Sequence, residues 1–285
     1  MKRLIVRLLL AAAAAFAVLG AIAALQVASV DVRALRAGVP GPTSMMRRRA
    51  AEAESEGRRY AVDRRWVPYD RISPLLRRAV LIAEDDAFFA HGGLDWNEIR
   101  ASARRDLEEH RAVRGGSTIT QQLAKNLYLG NERTLTRKLK EIVLALRLER
   151  ALSKRRIFEL YLNEIEWGDG VFGAEAAARR HFGVSAMELD PRQAVLLAAI
   201  IINPRRYSPL APAPRIERRV RMIAARLHRR GALDDRQYRV ALGEAPPPSH
   251  GFFGWLFGAA PDTAPAPQAD SVVTPAAADS AGGGR

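Results

Sequence analysis

The chain has no cysteine among its 285 residues and only five histidines. The absence of cysteine excludes a disulfide, a thiolate zinc site and a thiol nucleophile. The histidines are too few and too scattered to predict a metal cluster. No run of alternating polar and apolar residues predicts a strand, and no motif recurs at a period of roughly 20–50 residues. We therefore expect a mainly helical domain and no solenoid.

Acidic residues are outnumbered, since Lys and Arg total 45, Asp and Glu total 31, and the net charge is +14. A surface this basic favours anionic partners, and nucleic acid, an anionic membrane leaflet and a phosphorylated substrate all qualify. Solubility in an arginine-rich proteome is the alternative explanation. Because the chain lacks any recognisable nucleic-acid-binding module, we expect no nucleic-acid partner.

One long apolar run lies near the N-terminus, at residues 8–28, with Gln26 close to its end. A membrane-spanning helix needs about 20 apolar residues, and this run is just long enough if Gln26 lies at the interface. Lys2, Arg3 and Arg7 precede it, and this asymmetry predicts a cytoplasmic N-terminus with the rest of the chain outside.

Two alternatives stay open for the apolar run. Residues 21–23, Ala-Ile-Ala, resemble a signal-peptide cleavage site, although the apolar stretch is longer than a usual signal-peptide core. A buried core helix is the other alternative, and the uniform apolarity of the run argues against it.

Composition divides the chain into four parts. Residues 1–30 are predicted to be a cytoplasmic stub and transmembrane anchor. Glycine and proline breakers in residues 31–59 predict a linker there. Residues 60–244 are predicted to form a helical domain. Residues 245–285 are rich in Pro, Ala, Gly, Ser and Asp, which predicts a low-complexity tail that is mostly disordered. The aromatic residues of this tail either touch the membrane interface or fold back onto the domain.

Capping residues mark several predicted helix termini. Ser73, followed by a proline, predicts a helix that runs to about Phe88. Asp190 and Gln193 have capping-box spacing before an apolar helix. Gly231 has the position of a C-terminal cap for the helix that precedes it.

A carboxylate cluster, residues 84–86, lies near the predicted end of the helix that Ser73 begins. The helix dipole disfavours negative charge at a C-terminus and tends to raise a carboxyl pKa there, which suits Glu84 to act as a general base. A solvated acidic helix end is the commoner explanation, so this cluster is a weak signal by itself.

A second polar cluster starts with two glycines and opens onto a predicted helix. Ser117 and Thr118 precede this helix, whose N-terminus offers free N–H groups and partial positive charge to an anion. A helix N-cap explains the hydroxyl groups equally well. It does not explain the two glutamines that are followed by Lys125 and Asn126.

A third cluster, residues 133–141, is basic and carries one acidic residue. Arg137 and Lys138 lie four and three residues before Glu141, so all three side chains can meet on one helix face. A solvated ion-pair face is the usual meaning of such a run. A fourth run of polar and glycine residues follows at 154–178.

Taken together and in this order, the clusters resemble the peptidoglycan glycosyltransferase family. The resemblance covers roughly residues 66–209 and includes all five family motifs. The segments 66–69 (Trp-Val-Pro-Tyr) and 166–173 (Glu-Trp-Gly-Asp-Gly-Val-Phe-Gly) resemble the monofunctional branch, and no Ser-x-x-Lys penicillin-binding site lies on a plausible downstream domain. One departure is His181, where the family usually has Tyr before Phe-Gly.

The resemblance implies an all-α, lysozyme-like domain with a smaller lobe dipping into the membrane. It implies that Glu84 deprotonates the GlcNAc 4-hydroxyl of a lipid II acceptor, whose oxygen then attacks C1 of the MurNAc at the lipid-linked end of the growing chain. The polyprenyl pyrophosphate leaves and the anomeric centre inverts. Glu141 matches the second family glutamate, and it either takes part in catalysis or orients neighbouring cations.

The resemblance also assigns the residues that bind substrate. Lys125 and Arg133 match positions that hold the donor pyrophosphate. The other substrate-binding positions that it implies are Ser117, Gln121, Asn126, Arg137 and Lys138. No cofactor is expected to be required. A divalent cation, Mg²⁺ or Mn²⁺, at the pyrophosphate is compatible with this chemistry, although the sequence contains no readable ligand cluster for it.

The implied partners are lipid II, the growing lipid-linked glycan and the membrane, and other wall-synthesis proteins are further candidates. The implied location is the cytoplasmic (inner) membrane, with the catalytic domain outside. Two competing functions use the same features: a lysozyme-like enzyme that cleaves the glycan, and a catalytically dead membrane scaffold. A cleaving enzyme has no pyrophosphate to hold, so the basic residues argue against it.

Overall fold

The fold is mainly helical, as the sequence predicts. The structure is a computed structural model that describes residues 2–109, 116–130, 132 and 134–244. The α-helices within these residues are α1 (Lys2–Gln26), α2 (Ser44–Ser55), α3 (Pro74–Glu84), α4 (Trp96–Glu109), α5 (Ile119–Tyr128), α6 (Leu135–Ala151), α7 (Lys154–Glu164), α8 (Ala174–Phe182), α9 (Pro191–Ile200), α10 (Pro214–Arg229) and α11 (Asp235–Leu242). The predicted tail, residues 245–285, lies outside the described residues.

Side-chain caps begin these helices where the sequence predicts them. The Ser73 hydroxyl accepts a hydrogen bond from the backbone of the first turn of α3, and Asp190 and Gln193 form a complete capping box at α9. Gly231 follows α10 with a positive φ of 67°. The expected extension of α3 to about Phe88 is wrong, because the backbone at Asp85 turns to an extended φ of −163° and ends the helix at Glu84.

The core is centred on α9, whose side chains are almost all buried. This helix packs against α3, α10 and α11, while α5 packs against α6 and α7. A helix that is apolar all round is stable only when neighbours cover every face, and α9 meets that condition. Both groups of helices belong to one hydrophobic core, so α3, α5 and α10 have fixed relative positions.

A small sheet that the sequence did not predict lies beside the helices. Its strands are β1 (Asp63–Arg64), β2 (Glu166–Gly168) and β3 (Val171–Phe172), in the order β1-β3-β2. β3 pairs parallel to β1 and antiparallel to β2. Strands of two or three residues are too short to show an alternating pattern, which explains why they were missed.

Residues 31–59 are more ordered than the predicted linker. Helix α2 occupies much of this segment and packs against α5. Its Arg49 Nη2 lies 2.7 Å from Glu166 Oε2, and the Glu166 side chain is only 4% exposed. A buried carboxylate requires such a partner, so this ion pair fastens the segment to the small sheet.

Helix α1 fits a single-pass membrane anchor. Its segment Val6–Gln26 has a mean hydropathy of 2.6, and most of the described side chains along it are exposed, which is unlike a core helix. The last turns pack on α6, where Ala23 and the following Val27 are buried. Arg147 of α6 donates hydrogen bonds to the backbone carbonyls of three residues, Val27, Ala28 and Val30, at this end of the helix.

Candidate functional site

Glu84 is the last residue of α3, and its side chain is 12% exposed. Arg219 Nη2 of α10 lies 2.6 Å from Glu84 Oε1, and Gln122 Nε2 of α5 donates to Glu84 Oε2 at 3.1 Å. We call Glu84, Arg219 and Gln122 the base pocket. Burial raises the pKa of Glu84 above its ordinary value, and Arg219, Gln122 and Lys125 offset part of that rise. A carboxylate in this environment is a candidate general base near neutral pH.

The partners of Glu84 are themselves held in place. Arg219 also donates to the Ala83 carbonyl at 2.9 Å, so its guanidinium bridges the end of α3 and the Glu84 side chain. The fully buried Tyr161 hydroxyl donates to Gln122 Oε1 at 3.0 Å, which leaves the amide nitrogen facing Glu84. Burial raises the pKa of Tyr161 well above its usual value, so this hydroxyl stays a neutral donor.

Asp85 ties the end of α3 to the start of α5. Its Oδ2 accepts a hydrogen bond from the Ile119 backbone N–H at 2.9 Å, and His91 Nε2 lies 3.0 Å from Oδ1. Thr118 donates from its hydroxyl to the Gly93 carbonyl at 2.6 Å, which binds the intervening loop to the same helix start. These contacts fix the position of Glu84 relative to α5.

Lys125 lies one turn beyond Gln122 on α5. Burial lowers the pKa of Lys125 below that of a free lysine, while the nearby Glu141 carboxylate favours its charged form. Arg137 and Lys138 of α6 and Arg48 of α2 are further positive charges in its surroundings. The side chain therefore faces a strongly basic environment that is assembled from three helices.

Glu141 is the anionic centre of this environment, and its side chain is 4% exposed. Arg137 Nη1 lies 2.5 Å from Glu141 Oε2, and Lys138 Nζ bonds to Oε1. We call Lys125, Arg137, Lys138 and Glu141 the cation cluster. Three cations around one carboxylate leave a net positive charge that can bind an anion.

A groove of about 420 Å³ opens beside Glu84. Its wall includes Glu84 and Asp86 at the end of α3, Ser117 and Thr118 just before α5, and Arg226 on α10. The Ser117 hydroxyl also lies 3.3 Å from Lys138 Nζ. Ser117 thus joins the groove beside the base pocket to the cation cluster.

Sequence comparisons identify the family to which the chain belongs. A family model described as Transglycosylase matches residues 51–228. The chain belongs to the transglycosylase family. The match includes the base pocket and the cation cluster, and it begins within α2, inside the segment that the sequence predicts to be a linker.

Curated relatives of this transglycosylase carry the name biosynthetic peptidoglycan transglycosylase. The protein of Alcanivorax borkumensis is 52% identical over 166 residues, which are 58% of this chain and 68% of the relative. Those of Methylobacillus flagellatus and Chromobacterium violaceum are 48% and 46% identical over 188 residues, which are 66% of this chain and 82% of each relative.

Two predicted substrate-binding residues of the transglycosylase have unexpected surroundings. Gln121 is 2% exposed, and its Oε1 accepts a hydrogen bond from the Thr118 backbone N–H at 2.9 Å, so its amide completes the capping box of α5. Asn126 is also buried, and its Oδ1 has no hydrogen-bond partner among the described residues. Arg133 lies outside the described residues.

Sequence reasoning gave no role to Gln122, Arg219 or Tyr161. Gln122 was visible as one of two adjacent glutamines, and the helical period of α5 places it one turn before Lys125. Arg219 gave no signal, because it is one of several arginines on α10 and contacts a residue 135 positions away. Only the packing of α10 on α3 reveals its role.

The strongest candidate for a metal site in the described part of the transglycosylase is Asp85, His91 and Asp95, whose ligand atoms lie within 4.8 Å of one another. Both Asp85 oxygens already accept hydrogen bonds, one of them from the backbone of α5. The bond from the Ile119 backbone N–H makes Asp85 a support for the start of α5.

His181, which departs from the family pattern, occupies a structural position. Its Nε2 lies 3.1 Å from the Trp167 carbonyl, and burial lowers the pKa of the imidazole. Since a carbonyl only accepts, Nε2 carries the proton and the ring is a neutral donor. This contact supports β2 and involves neither the base pocket nor the cation cluster.

Proposed function

We propose that this transglycosylase polymerises lipid II into peptidoglycan glycan strands. Glu84 takes the proton from the GlcNAc 4-hydroxyl of the acceptor, and the resulting oxygen nucleophile attacks MurNAc C1 at the lipid-linked end of the donor chain. The bond from C1 to the polyprenyl pyrophosphate breaks, the pyrophosphate leaves with the electron pair, and the anomeric centre inverts. The observation that carries the proposal is a largely buried carboxylate of raised pKa beside a groove whose wall includes Ser117, and the Ser117 hydroxyl lies 3.3 Å from Lys138 of the cation cluster.

The cation cluster suits the donor side of this reaction. The leaving group is a diphosphate that gains negative charge in the transition state, and preorganised cations stabilise such charge strongly. Lys125, Arg137 and Lys138 are candidates for this role, and we assign Arg133 to it by resemblance. Glu141 bonds two of these cations, which favours a role in orienting them over a role as a catalytic acid.

The base pocket suits the acceptor side. A pyrophosphate is an activated leaving group that needs no strong acid, so only the acceptor hydroxyl requires proton transfer. Burial makes Glu84 a better base than a solvated glutamate, and the Arg219 ion pair favours its ionised form. No step of this scheme requires a cofactor. A divalent cation at the pyrophosphate would add further charge stabilisation.

We place the enzyme in the cytoplasmic membrane, with α1 spanning it and the catalytic domain on the outer face. The length and hydropathy of α1 and the three cations near its N-terminal end support this orientation. The anchor would keep the groove near a substrate whose lipid tail lies in the same membrane. The growing glycan is the second substrate, and other wall-synthesis proteins are candidate partners.

The test supplies the purified full-length chain with lipid II in one reaction and with preformed glycan in another. Formation of longer glycan from lipid II supports the proposal. Shortening of preformed glycan, with no product from lipid II, would contradict it and favour a lytic enzyme. Binding of lipid II without either product would favour a scaffold.

A further inference from the structure

A second cavity lies at the junction between the anchor helix and the catalytic domain. It encloses about 460 Å³ and is lined by residues 28–33, which follow α1, by Arg36, and by the end of α6. We call it the junction cavity. Its wall carries four arginines, Arg33, Arg36, Arg147 and Arg150, and a single acidic residue, Asp31.

The positive charge of this cavity is not neutralised within the described part of the chain. Arg147 bonds to backbone carbonyls at the end of α1, and Arg36 Nε donates to the Ala151 carbonyl at 3.0 Å. The Asp31 carboxylate accepts from the backbone N–H groups of Arg33 and Ala34. Among the described residues, none of the four guanidinium groups forms an ion pair with a carboxylate.

A helix C-terminus attracts positive charge, and this effect accounts for Arg147. It does not account for Arg33 and Arg150, which are exposed and have no hydrogen-bonded or ionic side-chain partner among the described residues. These two arginines are available to an anion from outside the chain. An arginine fork matches the paired oxygens of a phosphate group closely.

The position of the cavity favours a membrane lipid as the source of such a phosphate. The apolar segment of α1 ends at Gln26, and the cavity wall begins two residues later, at Ala28. Each headgroup layer of a bilayer is about 5–7 Å thick, so residues just beyond a spanning segment lie at the depth of the lipid phosphates. The contacts of Arg147 with the carbonyls after α1 hold the cavity at that depth.

The junction cavity is separate from the cation cluster. Lys138 and Arg150 are twelve residues apart on α6, which corresponds to about 18 Å along the helix axis. A phosphate bound at Arg150 is therefore not the pyrophosphate held at Lys138.

We propose that the junction cavity binds the headgroup phosphate of an anionic glycerophospholipid. This inference rests on the proposed placement of α1 in the membrane and is independent of the proposed reaction. The bound phosphate pairs with Arg33 and Arg150, offsets one of their two positive charges, and thereby sets the height and tilt of the catalytic domain on the membrane surface.

The test uses full-length protein in detergent micelles supplemented with either phosphatidylglycerol or phosphatidylcholine, and native mass spectrometry counts the lipids retained. We expect preferential retention of phosphatidylglycerol and a roughly tenfold weaker preference in Arg33→Ala/Arg150→Ala, because each arginine near an anionic surface adds attraction. The double substitution by lysine should restore much of the preference. A matched control, Arg236→Ala/Arg239→Ala, removes two exposed arginines of α11 and should have no effect.

Two results would overturn the inference: equal retention of both lipids by the wild-type chain, or an unchanged preference in Arg33→Ala/Arg150→Ala. A third arm adds inorganic phosphate at millimolar concentration. Displacement of the lipid by free phosphate would identify a soluble anion as the ligand and would also contradict the inference. The count of bound lipid does not depend on glycan synthesis, so failure of the proposed reaction would be recognised separately in the lipid II assay.

Discussion

The base pocket and the cation cluster each contain a glutamate that is largely shielded from solvent and has an arginine beside it, yet they are built in different ways. Glu141 bonds to residues three and four positions away on its own helix. Glu84 bonds to Arg219 and Gln122, which belong to two other helices. The difference matters for chemistry, because Glu141 is bonded to two cations whereas Glu84 is bonded to one, Arg219, and its burial raises its pKa.

This comparison predicts that loss of the Glu84 carboxylate has the largest effect. We expect Glu84→Gln to lower the rate of glycan synthesis about a thousandfold, as is typical for removal of a general base. The measurement is turnover of lipid II by the purified variant. Because the amide keeps the shape of the side chain, binding of lipid II and the circular dichroism spectrum should change little.

A matched control for Glu84→Gln is Glu217→Gln, which removes the carboxylate of another interhelical ion pair, 2.5 Å from Arg192. Near-normal turnover in Glu84→Gln, or an equal loss in Glu217→Gln, would contradict the role of Glu84 as the base.

Lys125→Ala should have the next largest effect, about a hundredfold loss of kcat/KM, because one preorganised charge on the leaving group is removed. The loss should be greater when the donor concentration is limiting than when the acceptor concentration is limiting. Lys140→Ala, on the neighbouring helix α6, removes a lysine outside the cation cluster and serves as the control. Equal effects on both substrates would argue against placing Lys125 on the donor side.

Glu141→Gln should have a smaller effect, about tenfold, if Glu141 orients cations and transfers no proton. The amide oxygen still accepts a hydrogen bond from one of the two cations, Arg137 or Lys138, whereas the NH2 group that replaces the other oxygen cannot accept one. Activity should keep the same dependence on pH as the wild-type chain. A loss as large as that of Glu84→Gln, together with a changed pH profile, would make Glu141 a second proton-transfer residue.

The smallest effects are expected for the two adjacent glutamines of α5, one on stability and the other on turnover. Gln121→Ala breaks the capping box, and we expect a loss of about 1 kcal/mol of stability with little change in turnover. Gln122→Ala removes a hydrogen bond to Glu84, so it should lower the turnover of lipid II while Tm changes little. Thermal unfolding and lipid II turnover of both variants would show whether Gln121 acts on stability and Gln122 on turnover. A raised KM in Gln121→Ala would instead support a contact between Gln121 and substrate.

The features that the sequence predicts correctly are mostly local. Helix starts at Ser73, Thr118 and Asp190 depend on side chains that bond to the first turn of their own helix. The bonds of Arg137 and Lys138 to Glu141 follow from helical spacing in the same way. Such features involve residues close together in the chain, and spacing alone reveals them.

The features that the sequence does not reveal depend on tertiary contacts. Helix α2 has no apolar stripe that distinguishes it from a linker, and it is held by packing on α5 and by the bond from Arg49 to Glu166. Arg219 reaches Glu84 only because α10 packs against α3. Family resemblance identified Glu84 as a candidate base. The burial and the contacts that shift the pKa of Glu84 arise from helix packing, so they could be recognised only in the folded structure.

The pH dependence of glycan synthesis by the wild-type chain and Arg219→Ala tests the central claim most directly. A general base must be ionised, so kcat/KM should fall as pH drops through the pKa of Glu84. Removing Arg219 takes away a charge that lowers this pKa, so the acidic limb of the profile should move to higher pH. Arg192→Ala should leave the limb in place, and an unmoved limb in Arg219→Ala would contradict the account.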